Sequence, residues 1–208
     1  MARPLFILGQ ARAGTTALAH VVSTNPAIEL YTSGGQAFLL ECWELEKSYL
    51  GSDAAAASLR AAIHASPRQW CAAKRPWAEE APQFFCKHFA DAVYILCSRH
   101  AEDVIESWRR SPLIWRVNGM SRSQLVAEYR RRERLANEFA RRLRALHAPV
   151  LGWRFDSWLP EPAKMLHALA GRLGVPDEWD TSELWQPGER RLAVGSAARF
   201  ESREATTV

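Results

Sequence analysis

Short apolar runs alternate with amphipathic segments along most of this chain. Residues 5–8, 92–97 and 150–153 are almost wholly apolar. Runs of this length and composition are typical of strands buried on both faces of a parallel sheet. Residues 28–31 and 70–73 are shorter runs of the same kind. The pattern therefore predicts up to five strands.

The segments between these runs show apolar positions at helical spacing. In the longest of them Leu135, Phe139, Leu143 and Leu146 recur at intervals of three or four residues. Ser52 precedes an alanine-rich segment and is suited to cap it. The predicted helices cover 15–23, 36–49, 53–65, a segment around 104–108 that closes near 111, 122–146 and 162–173.

Strands that alternate with helices indicate an α/β fold with a mostly parallel central sheet flanked by helices. The length of 208 residues fits a single domain over 1–208. Beyond Gln186 the polar, arginine-bearing sequence has no firm period, so we expect a partly mobile tail over about 187–208. Ligands of such folds bind at the carboxyl ends of the strands.

Composition narrows the class of protein. No apolar run is long enough to cross a membrane, and Gln10 and Arg12 interrupt the only candidate for a secretion leader. The four cysteines form no CxxC pair, which argues against a zinc site and fits reduced thiols in the cytoplasm. The net charge of +4 suits an anionic ligand without requiring a nucleic acid.

The clearest candidate for a ligand-binding segment is residues 9–16, which join the first predicted strand to the first predicted helix. Gly9 and Gly14 have the spacing of a phosphate-binding P-loop, but Thr15 stands where that motif has lysine. Backbone N–H groups and the positive end of the helix would hold a phosphate here. Arg12 supplies a cation suited to the charge that develops on a bridging oxygen. The alternative is a strand–turn–helix that contains glycines by coincidence.

This loop, within residues 5–31, resembles the 5′-phosphosulfate loop of the sulfotransferases that use 3′-phosphoadenosine 5′-phosphosulfate (PAPS). Arg12-Ala13-Gly14-Thr15-Thr16 matches the family pattern, with Ala13 in place of the usual serine. The resemblance implies that Arg12, Ala13, Gly14, Thr15 and Thr16 bind the donor and that Arg12 is catalytic. It also implies transfer of a sulfuryl group to a hydroxyl or amine of a small-molecule acceptor, with 3′-phosphoadenosine 5′-phosphate (PAP) as product and no metal.

A second segment resembles the 3′-phosphate site of the same family. Arg99 follows a predicted strand, and Ser107 follows eight residues later. In the family both residues bind the 3′-phosphate. An arginine at a strand end can make paired charged hydrogen bonds to such a group. The alternative for Arg99 is a salt bridge with Glu102 or Asp103.

Looser similarities extend to about residue 176. Lys74-Arg75-Pro76 is similar to a Lys-Thr-Pro segment of the family, and Arg154-Phe155-Asp156 is similar to its late Arg-Tyr-Glu strand. Arg199 falls in a segment similar to a late loop that also reaches the 3′-phosphate. His100-Ala101 departs from the usual Asp-Pro.

The general base is less well defined. Many relatives place a glutamate where this chain has Gln36, and a glutamine cannot accept the proton of the acceptor. Glu41 is our choice for the base, with Glu44 and His88 as alternatives. Glu41 is also interpretable as an exposed carboxylate on an amphipathic helix.

Two further groups of residues have alternative interpretations. Several tryptophans are candidates for an acceptor pocket or for the core: Trp43, Trp70, Trp77, Trp108 and Trp115. The arginines of the long helix are interpreted as its solvated face, with an anionic partner surface as the alternative: Arg130, Arg131, Arg132, Arg134, Arg141, Arg142 and Arg144.

Two other functions remain open. A P-loop nucleotide phosphotransferase would need magnesium and would turn over ATP, and Thr15 in place of lysine counts against it. A non-enzymatic basic helical protein would bind nucleic acid with steep salt dependence and without regard to PAP. The sequence favours the enzyme, with no nucleic acid as partner and no membrane insertion. It does not predict the oligomeric state.

Overall fold

Five parallel strands form one sheet in the computed structural model of the chain, which describes residues 1–31, 52–111, 117–158 and 160–181. The sheet order is β2-β3-β1-β4-β5, so β1 lies at the centre. The strands are β1 (Arg3–Gly9), β2 (Ile28–Leu30), β3 (Trp70–Pro76), β4 (Val93–Ser98) and β5 (Val150–Arg154). The predicted α/β fold with a parallel central sheet is confirmed.

Seven α-helices among the described residues flank this sheet. They are α1 (Thr15–Thr24), α2 (Asp53–His64), α3 (Pro82–His88), α4 (Ala101–Arg110), α5 (Arg122–Ala145), α6 (Phe155–Trp158) and α7 (Pro162–Leu173). Ser52 caps α2 as predicted, because its side chain accepts a hydrogen bond from the Ala55 N–H. The sequence did not predict α3, the short α6 or the 3-10 turn Ala78–Glu80. The predicted helix over 36–49 and the tail lie outside the described residues.

The strand register brings the carboxyl ends together at one edge of the sheet. Gly9, the last residue of β1, pairs with Pro76 on one side and Cys97 on the other. Ser98 in turn pairs with Arg154. The chain therefore leaves β1, β3, β4 and β5 at the same edge. Because β3 and β4 lie on opposite sides of β1, the loop after β1 occupies the switch point where α/β folds bind ligands.

Side chains alternate between the two faces of β1 and enter two separate hydrophobic clusters. Leu5 and Ile7 pack with α1 and α7. Phe6 and Leu8 pack with α2, α3 and α5. Phe6 also makes edge contacts with Phe85, at 5.2 Å between ring centroids. Burial on both faces explains the continuous apolar run of this strand.

One arginine of the long helix is buried, contrary to its interpretation as part of a solvated face. Arg132 does not belong to a solvated face, since it is only 2% exposed. Its Nε lies 2.7 Å from Glu128, and its terminal nitrogens lie 3.3 Å from Glu79 and 2.9 Å from Glu80. Arg132 lies on the buried helical stripe, whereas Leu146, predicted to lie on it, is 45% exposed. Trp70, Trp77 and Trp108 are likewise buried in the core.

Candidate functional site

The loop after β1 turns sharply into α1. Arg12 has φ 72° and Gly14 has φ 89°, both in the left-handed region. The Ala13 N–H donates to the Gln10 carbonyl at 3.0 Å and closes the turn. A Cβ on Gly14 would lie 2.2 Å from the ring of Phe155. Glycine is therefore required at position 14, because any other residue would strain the backbone and overlap the Phe155 ring.

Two tryptophans that lie outside this loop donate hydrogen bonds to its backbone carbonyls. The Trp77 backbone N–H donates to the Gly9 carbonyl at 2.8 Å. The Trp108 indole Nε1 donates to the Ala11 carbonyl at 3.0 Å. The second bond joins the loop to α4, which carries Ser107. The loop and α4 therefore form one unit at the edge of the sheet.

Arg12 and Ser107 are in direct contact. Arg12 Nε donates to Ser107 Oγ at 2.7 Å. The two residues come from separate sequence motifs, and the fold brings both to one place. Lys74, near the end of β3, donates from Nζ to Thr16 Oγ1 at 2.9 Å. The loop thus has two cationic side chains hydrogen-bonded at its rim.

Arg99 follows β4 on the same edge of the sheet. Its Nε lies 3.7 Å from Asp103 Oδ2 and 3.8 Å from Asp156 Oδ1, and its Cζ lies 5.2 Å from the Phe155 ring centroid. This Nε is enclosed, and no described residue accepts a hydrogen bond from it. A salt bridge with Asp103, which is the alternative role given above for Arg99, is therefore present as a long ion pair. Glu102 instead pairs with Arg122 at 2.8 Å.

These groups suit a ligand with two separate anionic groups. The first turn of a helix leaves N–H groups without intrahelical acceptors, and α1 presents its first turn beside Arg12 and Lys74. The Arg99 side chain is 30% exposed, so its guanidinium offers donors for a second anion. Among the described residues no group of three histidine, cysteine or acidic side chains is placed to hold a metal ion. No helix in the described ranges is long and apolar enough to cross a bilayer.

Other candidates lie elsewhere. Glu41, Glu44, Gln36 and Arg199 lie outside the described residues. His88 lies at the end of α3, shortly before β4 begins, where its Nε2 is 3.3 Å from Asp53 Oδ1. That position is at the amino-terminal edge of the sheet, opposite the loop. His88 is therefore not placed to act as a base beside Arg12.

The structure adds two residues to which the sequence assigned no role. Phe155 covers Gly14 and stacks on Arg99, and Asp156 Oδ2 accepts a hydrogen bond from the His100 backbone N–H at 2.6 Å. Both follow β5 directly. Position at a strand end was the available signal, but only the strand order shows which strand ends are neighbours.

Comparisons with known proteins agree with this fold. The sulfotransferase from Alicyclobacillus acidocaldarius superposes with a TM-score of 0.63 at 19% identity, over 90% of this chain and 88% of that one. The sulfotransferase domain from the curacin biosynthetic pathway superposes with a TM-score of 0.58 at 20% identity, over 86% of this chain and 76% of that one. No protein-family model and no curated protein sequence matches the chain. The chain therefore has the fold of the sulfotransferases.

Proposed function

We propose that this protein is a PAPS-dependent sulfotransferase that acts on a hydroxyl or amine of a small-molecule acceptor. The observation that carries the proposal is the 2.7 Å hydrogen bond between Arg12 and Ser107. It puts the loop suited to a 5′-phosphosulfate next to the serine that the resemblance assigns to the 3′-phosphate. The shared fold of two sulfotransferases supports the same function.

Each group at the edge of the sheet has a distinct role in this proposal. The N–H groups at the start of α1 hold the 5′ end of the donor. Arg12 donates to the oxygen that bridges phosphorus and sulfur, and Lys74 adds a second positive charge through its position beside Thr16. Arg99 and Ser107 bind the 3′-phosphate.

In the proposed reaction the bond between sulfur and the bridging oxygen breaks as the acceptor oxygen or nitrogen bonds to sulfur. The bridging oxygen keeps the electron pair and leaves as part of PAP. Arg12 stabilises this developing charge more strongly than it stabilises the donor, which lowers the barrier. The acceptor proton passes to a base, for which we propose Glu41, with Glu44 as the alternative. Full activity in Glu41→Gln would reject Glu41.

Release of PAP from PAPS tests the function directly. The wild-type protein is incubated with PAPS and a panel of phenols, alcohols and amines, with EDTA present, and PAP and the sulfated product are quantified together. We expect both to form in equal amounts with at least one acceptor class, and Arg12→Ala to form them about 10²- to 10³-fold more slowly. Arg130→Ala, an exposed arginine on α5, is the matched control and should keep full activity.

Two results would contradict the proposed function. Magnesium-dependent turnover of ATP with no product from PAPS would identify a nucleotide phosphotransferase instead. Equal activity of wild type and Arg12→Ala would remove the proposed mechanism.

We also propose that the enzyme works in the cytoplasm. Cys71, Cys86 and Cys97 are free thiols, which suit a reducing compartment. Burial raises the pKa of the Cys71 thiol to about 12, so this thiol stays protonated and unreactive at neutral pH.

A further inference from the structure

Asp156 contacts the chain segment that carries Arg99. It lies in α6, directly after β5. Its Oδ2 accepts the 2.6 Å hydrogen bond from the His100 backbone N–H, and its Oδ1 lies 3.8 Å from Arg99 Nε. Oδ2 also lies 3.8 Å from Arg154 Nε. One carboxylate thus touches both residues that lead into α4.

His100 is the residue at which α4 begins. It occupies the N-cap position, and its own side chain makes no capping hydrogen bond. The hydrogen bond that the His100 N–H donates to Asp156 therefore ties the backbone at the start of α4 to α6. Arg99 precedes the cap, and Ser107 lies about two turns along the helix. Because a helix is stiff, the cap and Ser107 move together, and a change at the cap would alter the position of Arg99 relative to the loop after β1.

Phe155, the neighbour of Asp156, links this segment to the loop after β1. Its ring covers Gly14 so closely that a Cβ there would lie 2.2 Å away. The same ring lies 5.2 Å from Arg99 Cζ. Residues 155 and 156 therefore contact both the loop that would hold a 5′ group and the arginine that would hold a 3′ group.

We infer that Asp156 is a positioning residue that sets the preference for a nucleotide phosphorylated at both the 5′ and the 3′ positions. The inference rests on the proposed function. PAP must reach the loop and Arg99 at the same time, so its affinity depends on their separation. AMP needs only the loop. Loss of the Asp156 carboxylate should therefore weaken PAP binding relative to AMP binding.

Asp103 provides a matched control. Its carboxylate lies 3.7 Å from the same Arg99 Nε, so its removal changes the local charge as removal of Asp156 does. The His100 N–H donates to Asp156, however, and not to Asp103. Removing either charge favours PAP over AMP, because the additional phosphate of PAP lies beside Arg99, and Asp103→Asn measures this charge effect without loss of the His100 hydrogen bond.

The experiment is calorimetric titration of PAP and AMP into the wild type, Asp156→Ala, Asp156→Asn and Asp103→Asn. We expect the ratio of the AMP to the PAP dissociation constant to fall roughly 5- to 20-fold in Asp156→Ala, since one charge-assisted hydrogen bond is lost. In Asp156→Asn, which keeps a neutral acceptor for the His100 N–H, we expect a fall of about threefold. In Asp103→Asn the ratio should not fall, because loss of this charge favours PAP.

Thermal unfolding without ligand identifies any variant that does not fold, and Asp156→Asn decides the question if Asp156→Ala fails. If the wild type prefers PAP, an unchanged ratio in a folded Asp156 variant would overturn this inference and leave the proposed function intact. So would an equal fall in Asp103→Asn. If the wild type itself does not prefer PAP over AMP, the proposed function fails and this inference fails with it.

Discussion

Arg12 Nε donates a 2.7 Å hydrogen bond to Ser107 Oγ, although the two residues are 95 positions apart in the sequence. Arg12 holds a left-handed backbone conformation in the loop after β1, and Ser107 lies on α4. The indole of Trp108, the next residue on α4, binds the Ala11 carbonyl beside Arg12. The two halves of the proposed donor site are thus joined by adjacent hydrogen bonds.

Replacing Arg12 should affect catalysis more than donor binding. We expect Arg12→Ala to lower kcat by about 10²- to 10³-fold, the usual effect of removing one group that stabilises a developing negative charge. Arg12→Lys should recover part of the rate, because it restores the charge without the fork geometry. Steady-state kinetics with PAPS and a working acceptor would measure both. A drop confined to the KM for PAPS would mean that Arg12 only binds the donor.

Gly14→Ala should disrupt the loop. The new Cβ would meet Phe155 at 2.2 Å, and the residue would have to hold φ 89°. Together the steric overlap and the backbone strain should lower the free energy of unfolding by about 3 kcal/mol. Gly174→Ala is the control, because it has φ 66° but nothing within 4 Å of a new Cβ. It should cost about 1 kcal/mol. Urea denaturation gives both values, and equal losses would contradict the role of the Phe155 contact.

Arg132→Met should be strongly destabilising. Arg132 lies 4.5 Å from the centre of the Trp77 ring and pairs with Glu79, Glu80 and Glu128. Its removal leaves the buried Glu79 and two more exposed carboxylates without their cation, which should cost about 3–5 kcal/mol of unfolding free energy. The exposed Arg130 is two positions away, and Arg130→Met should change the same quantity by less than about 0.5 kcal/mol. Similar losses in the two variants would show that the buried pairs contribute little.

Stability should depend on pH through Glu79. Burial raises the pKa of Glu79 to about 7, because Arg132 divides its charge among three carboxylates and does not offset the loss of water around this one. The unfolded chain releases the same proton near pH 4.3. The stabilising effect of the bound proton is thus fully present below about pH 4 and is lost as the pH rises to about 7.

The corresponding experiment is denaturation at several pH values between about 4.5 and 7.5. Wild type should lose on the order of 3 kcal/mol across this range relative to Glu79→Gln, whose side chain stays neutral. Glu138→Gln, which removes an exposed partner of Arg142, should keep the wild-type slope. Parallel curves for wild type and Glu79→Gln would exclude Glu79 as the titrating group.

The sequence predicted those strands and helices in which burial on one or two faces produces a recognisable pattern of apolar residues. β1 and β4 were recognisable because most positions of both strands are buried. α3 was missed because Phe84 and Phe85 are both buried in a helix too short to show a period. Arg132 was assigned to the surface because it lies within a run of arginines. Its spacing of seven residues from Leu125 and from Phe139 places it on the buried stripe.

The candidate site was predictable to the extent that it follows strand ends. Residues 9–16 and Arg99 were found from the strands that precede them. The contacts of Phe155 with Gly14 and of Asp156 with His100 were not, because they depend on β5 lying next to β4 in the sheet. Sequence separation hides such neighbours until the strand order is known.

The central claim is that one site binds two phosphates of one nucleotide. Titration of PAP, 5′-AMP and 3′-AMP into the wild type, and of PAP into Arg99→Ala, tests it most directly. We predict that PAP binds at least about tenfold more tightly than either monophosphate, and that Arg99→Ala lowers the PAP affinity roughly 10- to 100-fold while the 5′-AMP affinity stays nearly constant. Equal affinities of the wild type for PAP and 5′-AMP, or an unchanged PAP affinity in Arg99→Ala, would contradict the account.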